Sequence, residues 1–178
     1  GGVTVARNGD LLVADFYNQR VQHLRDDGTF IKQWGTTSEK GIRDGEFNYP
    51  TDVALSDNET LYVTDGYNDR VQVFSLSGKF LRKWGGPFAL NIKGPFNGWF
   101  ATVSSIAIGP DGNVFVTDFY NHRIQKFDAN GRFLTTFGKQ GNGSGRFDRP
   151  LGVAVAADGT VFVADHGNHR VLKWRPGE

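Results

Sequence analysis

One hexapeptide, opening on Asp and closing on Arg, is written four times along this 178-residue chain. Asp15-Phe16-Tyr17-Asn18-Gln19-Arg20 returns as Asp65-Gly66-Tyr67-Asn68-Asp69-Arg70, as Asp118-Phe119-Tyr120-Asn121-His122-Arg123 and as Asp165-His166-Gly167-Asn168-His169-Arg170. The Asp, Asn and Arg never change, and successive copies lie 50, 53 and 47 residues apart. Self-similarity at that period belongs to propellers and other repeat arrays, in which each repeat is one supersecondary unit stacked on the next.

The flanks of the hexapeptide read as strands, and helical spacing is absent. Twelve residues before each Asp begins an apolar-small-apolar triplet: Val3-Thr4-Val5, Val53-Ala54-Leu55, Ile106-Ala107-Ile108 and Val153-Ala154-Val155. Short strands of this kind suit the crowded innermost position of a blade, here strand A. Strand B ends on the Asp and is continuously apolar, as in Val114-Phe115-Val116-Thr117, which predicts a strand covered on both faces by stacked blades. Between A and B, Asn8-Gly9, Asp111-Gly112 and Asp158-Gly159 supply the positive φ of two-residue hairpins, whereas Asn58-Glu59 predicts a looser turn. Strand C follows the tip and mixes polar with apolar residues, as expected nearer the surface. Strand D runs to a Gly at 35, 85 and 138. The repeats are thus approximately 1-35, 47-85, 100-138 and 147-174, and the unequal spacing must reside in the D-to-A linkers 36-52, 86-105 and 139-152. The expected fold is an all-β propeller with four blades visible, three complete and the fourth lacking its outer strand after Trp174.

Composition narrows the function classes. A formal net charge of +1 gives no long-range steering toward nucleic acid or an anionic membrane. Without cysteine there are no disulfides or thiolate metal sites, and no run approaches the roughly 18 apolar residues of a membrane span. Methionine is also absent, even at position 1, so the expectation is a processed protein or a piece of a longer one.

Asn121-His122-Arg123-Ile124 and Asn168-His169-Arg170-Val171-Leu172, each preceded by an apolar strand ending in Asp, resemble the NHL-repeat family. Asn18-Gln19-Arg20 and Asn68-Asp69-Arg70 are variants of the same motif, and the resemblance covers essentially the whole chain. It implies a propeller usually of six four-stranded blades, hence an open or partial form here, with unpaired edges that favour self-association.

Residues present in every copy are expected to build blades. Asp15, Asp65, Asp118 and Asp165 can each reach Arg20, Arg70, Arg123 and Arg170 across the hairpin, while Asn bonds the turn backbone. Strands alternate in direction, so the B-to-C tips and D-to-A linkers emerge on one face, and loops on a rigid scaffold are where binding residues concentrate. The candidate binding residues on that face are Phe16, Tyr17, Tyr67, Trp99, Phe119, Tyr120, His122, His166 and His169. Phe88 and Phe96 add to its aromatic content; Phe100 matches Phe47 and Phe147 and reads as core, and packing against the neighbouring blade is the competing expectation for the repeated Tyr residues. Trp99 and the stretch from Gly86 to Asn97 have no counterpart in the other repeats, which singles them out.

Scattered linker cations do not make the basic stripe that phosphate contacts require, so a protein, peptide or glycan partner fits better than nucleic acid. Asp65 to Arg70 is also similar to a segment of the peptidyl-hydroxyglycine amidating lyases, NHL-type propellers that use zinc. The resemblance implies a His following the Pro ahead of strand A. This chain has Thr51, Ser104 and Leu151 at those positions, so no catalytic or metal-ligating residue is assigned and no cofactor is expected. The reading is a non-catalytic binding scaffold or sensor module, with a metal-dependent lyase or hydrolase relying on further blades as the alternative. The compartment is not fixed by sequence, although an exported setting is favoured.

Overall fold

The computed structural model describes residues 1-86 and 92-175. Four antiparallel sheets follow one another along the chain. The first blade is β1 (Val3–Val5), β2 (Leu11–Asp15), β3 (Arg20–Leu24) and β4 (Phe30–Trp34); the second is β5 (Pro50–Leu55), β6 (Thr60–Asp65), β7 (Arg70–Ser75) and β8 (Phe80–Trp84). The third is β9 (Val103–Ile108), β10 (Val114–Asp118), β11 (Arg123–Phe127) and β12 (Phe133–Phe137), and the fourth is β13 (Pro150–Val155), β14 (Val161–Asp165) and β15 (Arg170–Trp174). Each sheet keeps sequence order from strand A outward. Successive innermost strands pack β1 on β5, β5 on β9 and β9 on β13, so the blades form an open propeller arc. No helix among the described residues is long and apolar enough to cross a membrane.

Strand A is longer than its apolar triplet in three blades. It starts at Pro50, Val103 and Pro150, because a bulge at Thr51, Ser104 and Leu151 interrupts the alternation and lets pairing resume beyond it. The A-to-B turns are not two-residue hairpins; each closes an i to i+3 bond such as Gly9 N–H to Ala6 C=O inside a wider bond from Ala6 N–H to Asp10 C=O. The turn at Asn58-Glu59 is not looser than the rest. Glu59 takes φ +59° in the place of glycine, with the same pair of backbone bonds, and Ser56 Oγ accepts from Thr60 N–H to brace it. Glycine is required elsewhere: at Gly85 (φ +128°) a Cβ would stand 2.4 Å from the carbonyl oxygen of Asp69, so strand D could not leave so close to the tip with any other residue.

Three apolar clusters fill the arc. Phe47 joins Leu12, Trp34 and Phe74 between the first two blades, Phe100 joins Val71, Val116 and Phe127 between the second and third, and Phe147 joins Ile124 and Val163 between the third and fourth. Strand B is buried from Leu61 on in the second blade and throughout in the third, but only on alternate residues in the first and fourth, which each have one neighbour. Strand C departs from expectation. Its polar residues Arg70, Gln72, Arg123 and Gln125 are buried, because the linkers cover them.

Candidate functional site

Each tip starts from an ion pair across the hairpin, with Arg Nε donating to Asp Oδ2 at 2.7–2.8 Å in all four copies. The Asn does not bond the turn backbone; its Nδ2 donates to the Asp carboxylate instead. In three copies the linker arriving from the preceding blade completes the cluster. Arg70 donates to the carbonyls of Ile42, Arg43 and Glu46, Arg123 to those of Pro95, Phe96 and Trp99, and Arg170 to those of Asn142, Gly143 and Arg146. Asn68, Asn121 and Asn168 donate to the carbonyls of Gly41, Gly94 and Gly141. These identical offsets expose a second repeat, Gly-x-x-x-Gly-x-Phe, at Gly41/Gly45/Phe47, Gly94/Gly98/Phe100 and Gly141/Gly145/Phe147. Trp99 therefore has counterparts after all, in Glu46 and Arg146. The length variation shrinks to 36-40, 86-93 and 139-140.

A second bracket joins the fifth tip residue to the next blade. Gln19, Asp69, His122 and His169 all adopt left-handed backbone, φ +51° to +58°. Gln19 Oε1 accepts from Tyr49 N–H at 2.6 Å, Asp69 Oδ1 from Thr102 N–H at 2.6 Å, and His122 Nδ1 from Arg149 N–H at 3.0 Å. His122 is thereby engaged in holding two blades together. His166 and His169 lie on the fourth tip, outside the cleft described next.

The linkers and tips enclose a cleft of about 750 Å³ to which all four blades contribute. Phe16, Tyr67, Phe119 and Tyr120 make its aromatic walls, Leu151 closes one end, and Asp69 and Lys93 are its charged residues. Thr51 and Ser104 line its floor, yet both hydroxyls are committed: Thr51 Oγ1 lies 2.9 Å from the Val103 carbonyl oxygen and Ser104 Oγ 2.9 Å from Thr117 Oγ1. Burial pushes the Asp69 carboxyl above the usual carboxylate range, against the lowering effects of the Thr102 N–H and Lys93. Asp65 and Asp118 are shifted upward by the same cause, with Arg70 and Arg123 opposing.

The repeated Tyr residues do not pack away between blades: Tyr17, Tyr67 and Tyr120 are 82%, 50% and 62% exposed. Tyr17 stands edge-on to Phe16 outside the cleft, and Trp99 lines a separate hollow beside Trp84 and Gly86. Phe88 lies outside the described residues. Sequence reasoning assigned no binding role to Lys93 or Leu151, and it passed over Tyr49; the residue before Pro50 carries no repeat signal, since Thr102 and Arg149 replace it. Among the described residues no three His, Cys, Asp or Glu side chains converge as metal ligands.

A family model described as the NHL repeat matches residues 1-24, 47-74, 100-127 and 147-174, more than half of the chain. Comparison with curated proteins found no match. Among solved structures, the chain is similar to virginiamycin B lyase from Staphylococcus aureus, with 18% identity and a TM-score of 0.67 over 99% of this chain and 55% of that one. It is also similar to an auxiliary nutrient binding protein from Bacteroides thetaiotaomicron, at 16% identity and TM-score 0.70 over 97% and 46% of the two chains. The WD40 β-propeller domain of Doa1 matches at 14% and 0.68 over 98% and 50%. Likeness at these identities speaks for the fold alone, and the chain spans about half the length of these structures.

Proposed function

The chain belongs to the NHL-repeat family, and from that premise we propose that it works as a non-catalytic binding scaffold, seating a protein, peptide or glycan in the aromatic cleft of the tip-and-linker face. The observation that carries the reading is the set of Phe16, Tyr67, Phe119 and Tyr120, drawn from three tips and left lining an open cavity. Large, stiff aromatic side chains supply contact area at small cost in conformational entropy, and clefts so lined are where ligands bind. The rigid scaffold beneath holds them in place, and with the floor hydroxyls committed, recognition falls to the walls and to Asp69 and Lys93.

The test is a screen of the purified chain on glycan and peptide arrays, run beside the Y67A/Y120A double variant. Array ligands of the wild type should be lost in the variant, while stability falls by no more than about 2 kcal/mol, chiefly through the ring contact of Tyr67 with Tyr49. Ligands retained by the variant would place the site elsewhere. Stoichiometric zinc in the purified chain, with turnover of a bound ligand, would instead support the lyase or hydrolase alternative.

A further inference from the structure

The first junction differs from the other two at the residue just before strand A: Tyr49 stands where Thr102 and Arg149 stand later. Tyr49 is held on both sides of its backbone, its N–H by Gln19 Oε1 at 2.6 Å and its carbonyl by Gly66 N–H at 3.1 Å. Phe16 lies tilted against its ring, with centroids 4.7 Å apart at 32°, and Tyr67 meets it edgewise at 4.8 Å. The Lys40 ammonium also stands over the Tyr49 ring, 4.2 Å from its centroid. Among the described residues that ammonium has no hydrogen bond or ion pair, so the ring alone engages it. Lys40 is exposed and closes the variable stretch 36-40, just ahead of the linker motif.

We propose that the outer face of Tyr49, backed by Phe16 and Tyr67, is a docking platform for an alkylammonium group of the ligand, and that Lys40 occupies it in cis until displaced. The inference rests on the cleft reading, since Phe16 and Tyr67 belong to both, and it names a chemical feature of the ligand. An aromatic face attracts a cation through the ring quadrupole, most strongly when the rings are fixed beforehand and the cation is weakly hydrated. Lys40 shows that the face accepts an ammonium, and its place on an exposed linker leaves it free to yield.

The experiment is an NMR titration of the whole chain, following the Tyr49 ring, with choline, its neutral isostere 3,3-dimethylbutan-1-ol, and Nα-acetyl-lysine amide, whose ε-ammonium is free. Choline should shift Tyr49 and the neutral alcohol should not. K40A should bind choline about two- to fivefold tighter, the weight of one exposed cation–π contact. K139A, which removes the same charge from another linker, should leave the affinity unchanged. Y49L should lose binding, but Tyr49 sits at φ +56° and its replacement risks the fold, so K40A carries the test. Choline ahead of acetyl-lysine amide would assign the platform to a free quaternary ammonium, and the reverse to a lysine side chain of a partner. Equal shifts from the neutral alcohol, or unchanged affinity in K40A, would overturn the proposal. A chain that binds array ligands in its cleft yet ignores choline keeps the scaffold reading and loses this one.

Discussion

Arg20 and Arg70 occupy the same place in the same hexapeptide, yet one side chain is 21% exposed and the other is fully buried. Both pair with the Asp five residues earlier. Beyond that pair, Arg20 reaches the side chains of Gln33 in its own blade and Thr37 just past it, whereas Arg70 donates to the carbonyls of Ile42, Arg43 and Glu46 in the linker arriving from the preceding blade. Asp65 likewise accepts from Asn48 N–H, a bond that the linker brings. The difference teaches that the hexapeptide is one half of a joint. Its other half is the Gly-x-x-x-Gly-x-Phe linker, which takes up the remaining donors of the arginine; the pair leaves water only in the second and third blades, because Arg170, in the last blade, meets its linker and is still 30% exposed.

The largest expected effect separates the two arginines directly. R70A removes the partner of a buried carboxylate and orphans several linker carbonyls, which should cost about 3–5 kcal/mol, whereas R20A, at a partly exposed pair, should cost about 0–1 kcal/mol. Urea unfolding of both variants checks this, and similar losses would show that the linker contributes nothing to the joint.

A smaller contrast of the same kind lies at the glutamines. Gln72 donates to the Glu46 carbonyl and to Asp65 and accepts from Gly45 N–H, while Gln22 donates to Asp15. Q72A should therefore destabilise by about 1–3 kcal/mol through unsatisfied buried groups, and Q22A by about 1 kcal/mol or less. The comparison sharpens if Q72A also speeds amide exchange at Gly45, because that would place the loss at the linker.

The smallest effect concerns the bracket between blades, where Gln19 and Asp69 perform one task with different charge. Burial raises the Asp69 carboxyl in the folded state, so its contribution to stability is present below the unfolded value near 3.8 and is lost as pH rises through the folded value. D69N keeps an oxygen for Thr102 N–H and suits the left-handed backbone. It should be slightly more stable than the wild type at pH 7, with the advantage vanishing below about pH 4. Denaturation at the two pH values measures it, and a variant less stable at pH 7 would show that the charge is needed there.

Much of the fold was legible because each blade repeats local chemistry. Positive φ at Gly9, Gly112 and Gly159, the apolar strand B and the pairing of Asp with Arg across each hairpin all depend on residues close in sequence. The linker repeat was harder to read, since Gly41, Gly45 and Phe47 are widely spaced and the residues between them act through their backbone carbonyls, which any side chain can accompany. The left-handed Gln19, Asp69, His122 and His169 share a backbone conformation without sharing a side chain, and the tertiary hydrogen bonds of the first three join residues about 30 positions apart, so neither was legible locally.

The site divides along the same line. Sequence alone determined that aromatic tips and linkers share a face, because strand alternation and the position of the repeats settle that without side-chain detail. Only the tertiary structure decided that Phe16, Tyr67, Phe119 and Tyr120 line one cleft while Tyr17 and Trp99 do not, and that Tyr49 packs against Phe16 and Tyr67. The physical reason is that a repeat fixes the geometry within a blade, whereas which side chains meet at the axis depends on how far each blade is turned from the last, and that angle is set by packing around Phe47, Phe100 and Phe147.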